Sequence, residues 1–267
     1  MRRALAYPAR MTDRRGFQRY VAIGDSSTEG LDDPDGEGGY RGWSMRLAGR
    51  IAATQGALLY ANLAIRGRRT RQIREQQLQP AVAMRPDLAT VFSGTNDVVA
   101  RRFDADTVAS DMRHMQRALV AGGATVLTFT LPDITPVMPM ARVLAPRIRA
   151  LNAALRAAAA DSGAILVDFA AYPVATDARL WSADRLHANA AGHARIADAL
   201  AHALGLPGAG DEWKVPLPPP HPRPASVRLA SEAWWLGRHL LPWMMKSLVE
   251  RGGQDRRRPK RPELTPV

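Results

Sequence analysis

Arg19-Tyr20-Val21-Ala22-Ile23-Gly24-Asp25-Ser26-Ser27-Thr28-Glu29-Gly30 is the stretch on which the fold turns. Tyr20 to Ile23 is a short apolar run of β-forming residues that empties directly into a turn presenting a serine. A side chain placed just past the carboxyl end of a buried strand lies where open α/β sheets keep their ligands. Gly-Asp-Ser alone is a weak signal, because such tripeptides occur in many loops. Its meaning depends on whether other strand ends supply a base, a carboxylate to orient it, and donors for an oxyanion.

Strand and helix patterns alternate outward from this run. An acidic, Gly-rich loop, Leu31 to Gly39, leads to a helix from about Trp43 to Thr54, with Trp43, Leu47 and Ile51 at fourfold spacing. Further strands read at 58–63, 88–92, 125–131 and 165–169, and helices at 70–84, 104–121, 146–161 and 190–204. Thr70 is placed as an N-cap, and Gly122-Gly123 and Gly163 stop the helices that precede them. Five βα repeats predict an α/β fold with a five-stranded parallel sheet, covered by helices on both faces through right-handed crossovers.

This pattern occupies residues 19–205 and predicts one domain there. Residues 1–18 read as a flexible segment, and Met11 serves as well as Met1 as a start. Residues 206–225 are a proline-rich linker, 226–250 a helical extension and 251–267 a basic, disordered tail. The net charge of +12 would fit a nucleic-acid partner if it formed a stripe on the domain. Instead +5 falls in residues 1–19 and +5 in 206–267, leaving +2 for the domain, so no nucleic-acid partner is expected. The absence of cysteine excludes disulfides, thiolate metal sites and a cysteine nucleophile. With no apolar leader and no run of about 18 apolar residues, a cytoplasmic location is expected.

Four loops that follow strands carry unusual polar residues: Ser26, Gly67, Asn96, and Asp184 with His187. A doubly wound sheet brings such loops to one edge. Serine needs a base to attack an acyl carbon at neutral pH, and imidazole suits that task with an ordinary pKa of about 6.5. A carboxylate on the other ring nitrogen fixes the tautomer and holds the imidazolium, and Asp184 stands three residues before His187. The oxyanion formed on attack needs preorganised donors, which the amides of Ser26 and Gly67 and the side chain of Asn96 can supply.

Gly24-Asp25-Ser26-Ser27, Gly67 after Asn62-Leu63-Ala64, Gly94-Thr95-Asn96-Asp97 and Asp184-Arg185-Leu186-His187 resemble the four blocks of the SGNH (GDSL-like) hydrolase family. The resemblance covers about residues 19–204. It implies a three-layer α/β/α, flavodoxin-like fold and an esterase or lipase activity. It also implies Ser26 as nucleophile, Asp184 and His187 as the rest of the triad, and Ser26, Gly67 and Asn96 as the oxyanion hole. Ser27 replaces the leucine of the common Gly-Asp-Ser-Leu form. The expected substrate is a small-molecule acyl ester, with no cofactor and no metal. A lysophospholipase or thioesterase acting on lipid-like substrates is the alternative, and a non-catalytic binding protein on the same fold is the other.

The remaining polar residues read as structural. Asp25 and Asp97 hold their own turns, and His193 is a packing or solvent-facing residue at the start of the last helix. Asp32, Asp33, Asp35 and Glu37 lack the spacing and terminal glutamate of a calcium loop and read as solvated. Arg66, Arg68, Arg69, Arg71 and Arg74 read as a solvated helix face. In the extension, Trp234, Leu241, Met245 and Leu248 form an apolar face expected to dock on the domain or on a second chain. The competing reading puts this segment on an anionic membrane surface.

Overall fold

In the computed structural model, which describes residues 16–219, 234–235, 237–238 and 257–267, the apolar run at 20–23 is the central strand. This strand, β1 (Arg19–Gly24), is buried from Tyr20 onward. It pairs in parallel with β2 (Leu59–Asn62) on one side and β3 (Leu88–Phe92) on the other. Beyond β3 lie β4 (Thr125–Phe129) and β5 (Ile165–Val167), also parallel. The helices are α1 (Ser26–Glu29), α2 (Gly42–Gln55), α3 (Thr70–Ala83), α4 (Thr95–Val98), α5 (Ala105–Ala121), α6 (Ala145–Ser162) and α7 (Ala190–Ala203).

The crossover from β1 to β2 runs one way along the sheet, and every later one runs the other way. With right-handed crossovers, α2 therefore lies on one face and α3, α5 and α6 on the opposite face. Packing follows this division: α7 lies against α2, and α5 contacts both α3 and α6. The order of the first five strands, 2-1-3-4-5, is that of flavodoxin-like folds, and its switch point lies between β1 and β3. Ser26 follows β1 and Asn96 follows β3, so both stand at this crevice.

The sheet has six strands rather than the five expected. Residues 261–266, expected to be part of a disordered tail, form β6 (Arg261–Pro266), antiparallel to β2 at the edge of the sheet. Two prolines and a basic flank hide this strand in the sequence. An edge position tolerates proline, because one side of the strand faces no neighbour. The domain supplies what the tail's own pattern lacks. The backbone edge of β2 is open to it, the Arg261 guanidinium lies 5.4 Å from the centre of the Tyr60 ring, and Leu264 packs on the core. The packed domain also runs past residue 205, since Leu206 and Trp213, placed in the linker by composition, are buried in the core.

The end of β1 is tightly fixed. The buried Gln77 side chain on α3 accepts from the Gly24 amide at 2.8 Å and donates to the Gly24 carbonyl at 2.9 Å. Glycine is required here by close approach. A Cβ at residue 24 would stand 2.7 Å from the Phe92 carbonyl oxygen and 2.2 Å from Thr28 Oγ1. Gly24→Ala is therefore expected to lower stability by about 1–3 kcal/mol through overpacking. The check is urea unfolding, where the midpoint should fall with little change in slope.

Candidate active site

Asp25 is the hinge between β1 and the serine. Its Oδ1 accepts from the Ser27 amide at 3.0 Å and so caps α1, whose first residue is Ser26. A helix's first amides have no partner within the helix, so the local fold leaves the serine amide outside the helical ladder. The other oxygen, Oδ2, accepts from Asn96 Nδ2 at 3.2 Å, tying the loop after β3 to the loop after β1. Burial pushes the Asp25 carboxyl up to about 7. The charge of Asp97 adds to the rise, and the Ser27 amide and His187 oppose it.

Ser26, His187 and Asp184 come together across this edge. His187 Nε2 lies 2.8 Å from Ser26 Oγ, and Nδ1 lies 2.6 Å from Asp184 Oδ2. A carboxylate only accepts, so Nδ1 carries the proton and Nε2 faces the serine hydroxyl as acceptor. The loop is built to present this pair. Asp184 Oδ1 accepts from Ser182 Oγ and from the amides of Leu186 and His187. Asn189 caps α7 and also donates to the carbonyls of Arg179 and Trp181, closing the base of the loop.

Charge in the site favours the imidazolium. Burial pulls the His187 pKa down, but the Asp184 hydrogen bond and charge, with Asp32 and Asp25, more than offset it and leave it raised. Burial works against the Asp184 carboxylate too, yet its bonds to His187 and Ser182 hold it well below the ordinary range. Asp32 is solvated as expected, with its side chain 40% exposed, and its Oδ2 lies 3.8 Å from His187 Nδ1. Its backbone is left-handed, with φ +66°. That conformation folds the acidic loop back toward the histidine, which no local sequence pattern announces.

The two other expected oxyanion donors line the same cavity as Ser26 and His187. Gly67 has φ +80°, and a Cβ there would meet only open space. Its loop is fixed from behind by Glu29, which accepts from the Arg66 amide at 2.8 Å and pairs with the Arg66 guanidinium. Asn96 Nδ2 directs its hydrogens to Asp25 Oδ2 and, at 3.0 Å, to the Arg68 carbonyl. Asp97 accepts from both the amide and hydroxyl of Thr70 and anchors the start of α3.

The cavity measures about 370 Å³. Its floor is aromatic, because Phe92 and Phe129 end β3 and β4 and Phe169 follows β5. Phe92 and Phe129 stack at 4.0 Å, and Phe129, Phe169 and Trp213 continue edge to face. The walls include Leu131, Val174, Leu180 and Trp181. His193, by contrast, is a packing residue: it accepts from the Trp43 amide at Nδ1 and donates to the Leu31 carbonyl at Nε2. That neutral form agrees with a pKa lowered by burial.

Other charged residues are largely committed to structure. Asp33, expected to be solvated, is buried and paired with Arg46. Of the arginine run, Arg66 pairs with Glu29, Arg71 with Glu75, and Arg74 with Asp111. In the C-terminal extension the docked residue is Trp235, 5% exposed, whereas Trp234 is 61% exposed. Leu241, Met245 and Leu248 of the expected face lie outside the described residues. No helix among the described residues is long and apolar enough to cross a membrane.

A profile of the GDSL-like lipase/acylhydrolase family matches residues 22–195, and the chain belongs to that family. It is thus a GDSL-type hydrolase of ester bonds. Its fold is similar to that of the psychrotrophic esterase EstA from Pseudoalteromonas sp., at 18% identity and TM-score 0.55, over 70% of this chain and 96% of that one. It is similar to the lipase/acylhydrolase from Enterococcus faecalis at 21% identity and TM-score 0.58, over 70% and 95%. Axe2, an acetylxylan esterase from Geobacillus stearothermophilus, gives 20% identity and TM-score 0.58, over 73% and 97%. No curated protein matches the sequence.

The raised His187 pKa has a direct test. The imidazole should titrate above the ordinary value of about 6.5 when followed by NMR. Asp32→Asn, which suits a left-handed backbone, removes one nearby negative charge and should move the titration to lower pH.

Proposed function

We propose that this hydrolase is a serine esterase that cleaves small acyl esters through an acyl-enzyme on Ser26. The observation that carries this reading is the single imidazole bridging Ser26 Oγ and Asp184 Oδ2 at the mouth of an apolar cavity. Ser26 Oγ attacks the ester carbonyl while His187 Nε2 takes its proton, and Asp184 holds the resulting imidazolium. The carbonyl oxygen becomes an oxyanion facing the amides of Ser26 and Gly67 and the side chain of Asn96. Of the two Asn96 hydrogen bonds, the longer one, to Asp25, is the one an oxyanion takes over. His187 returns the proton to the leaving alcohol. Water then attacks the acyl-Ser26 carbonyl, with His187 again as base, and the acid leaves.

The aromatic floor suits the acyl half of the substrate. Burial of apolar area is worth about 25 cal/mol per Å², so an aliphatic acyl group gains from entering, whereas a charged one would lose hydration there. The alcohol half then faces the open side.

The decisive experiment is Ser26→Ala. It should abolish hydrolysis of short-chain p-nitrophenyl esters and labelling by a fluorophosphonate probe, with unchanged circular dichroism. Retained turnover would overturn the assignment. Asn96→Ala should lower kcat by roughly 10²–10³ with a smaller effect on KM, because the donor matters most once charge develops. A change confined to KM would make Asn96 a substrate-binding group instead.

A further inference from the structure

The loop that carries Asp184 is gripped from outside the family fold. The family match ends at residue 195, and Trp235 lies 40 residues beyond it. Trp235 is nearly fully buried. Its indole N–H donates to the Ala183 carbonyl at 2.9 Å, and its ring lies under the Arg185 guanidinium at 4.5 Å. Ala183 and Arg185 are the two neighbours of Asp184, so one side chain holds the loop on both sides of the carboxylate.

Arg185 needs such support. It has φ +59°, a left-handed conformation that non-glycine residues adopt at a cost. That turn directs the Arg185 side chain outward onto the indole while Asp184 points inward to His187. The same C-terminal region reaches the site elsewhere. Trp213 and Arg257 line the cavity, and β6 fastens the chain's end to the sheet.

We infer that Trp235 is a positioning residue for the Asp184–His187 pair, and that the C-terminal extension is thereby a working part of the active site. The inference rests on the triad reading above. Trp235 touches neither substrate nor reacting atoms. It acts by holding the peptide on each side of Asp184 so that Oδ2 stays aligned with Nδ1. Misplacement of a group by about 1 Å can cost up to about a hundredfold in rate, so a loosened loop should be read mainly in kcat. The titratable and charged groups around His187 are Asp184, Asp32, Asp25 and the neutral His193, with Arg185 on the loop itself and Arg66, Arg195 and Arg257 lining the same cavity. Substituting Trp235 removes none of these charges. Trp235→Ala also frees the Arg185 guanidinium from the indole, so the shift shared by Trp235→Ala and Trp235→Phe, which keeps a ring beneath Arg185, is the one that reports the geometry of the Asp184–His187 bond.

The experiment uses the full chain with p-nitrophenyl acetate, comparing wild type, Trp235→Ala, Trp235→Phe and Ser26→Ala. Trp235→Ala should lower kcat by about ten- to a hundredfold, with KM changed by no more than about twofold. The acid limb of its kcat/KM profile should move to lower pH, because a poorly aligned Asp184 supports the imidazolium less. Trp235→Phe keeps a ring beneath Arg185 but loses the bond to Ala183, and should fall between the two. Wild-type kcat and acid limb in folded Trp235→Ala would overturn the inference, even if its melting temperature drops, since that is the mark of packing alone. Should the alanine variant fail to fold, wild-type kcat and acid limb in Trp235→Phe overturn it equally. Ser26→Ala separates the two claims: an active Ser26→Ala defeats the triad itself, whereas an inert one beside unaffected Trp235 variants defeats only the role of Trp235.

Discussion

Strand β1 ends in the middle of a sheet, and the N–H and carbonyl of Gly24 have to be satisfied there. Pairing with β3 continues to Gly24 opposite Phe92, whereas pairing with β2 stops at Ala22 opposite Asn62, so the Gly24 backbone groups on the β2 side lose the ladder that serves them further down. The buried Gln77 side-chain amide answers both the N–H and the carbonyl of Gly24, and Ile65 adds a second donor to that carbonyl. Phe92 and Thr28 crowd the α-carbon so closely that only glycine fits. The residues after Gly24 inherit this fixity. Asp25 leaves the strand in one direction, caps the short helix α1, and fixes Ser26 at its first turn.

The residues of the proposed site then meet at this fixed point from separate stretches of chain. Each arrives on its own local device: Asp25 for Ser26, Glu29 for the Gly67 loop, Asp97 for the start of α3 beside Asn96, and Asp184 for His187. All four devices are carboxylates accepting backbone amides. Such charge-assisted bonds are shorter and stronger than neutral ones and lock loops that carry little apolar burial. Two of these acids, Asp184 above all and Asp25, act with Asp32 on one imidazole, which is why His187 stays basic despite its burial.

Much of this could be read from the residues because it depends on local pattern. The five parallel strands and their helices follow from period and length, and the strand at 88–92 and the helix ends near Gly122 and Gly163 fall where capping chemistry puts them. Ser26, Gly67, Asn96, Asp184 and His187 stand just past strand ends or in the return loop, so topology alone brings them to one cavity. The hidden features depend on partners distant in sequence. Asp32 is solvated and yet stands beside His187 through a left-handed backbone, and Gln77 looks like any polar helix residue until β1 ends beneath it. Arg261 to Pro266 contains two prolines and becomes a strand only because the edge of β2 accepts it. Trp213 and Trp235 sit in stretches whose composition reads as linker and appendage, and their burial is decided by surfaces made by the domain.

The floor of the cavity has a further consequence. Phe92, Phe129 and Phe169 face the cavity and at the same time belong to the hydrophobic core. The shape of the cavity and folding stability are therefore written in the same three rings. Deepening the cavity by replacing Phe129 would remove its contacts with Trp43, Phe92 and Phe169 together, a loss of about 3–5 kcal/mol for a buried phenylalanine cut to alanine. Such a loss is a large share of a typical domain's stability of about 5–15 kcal/mol.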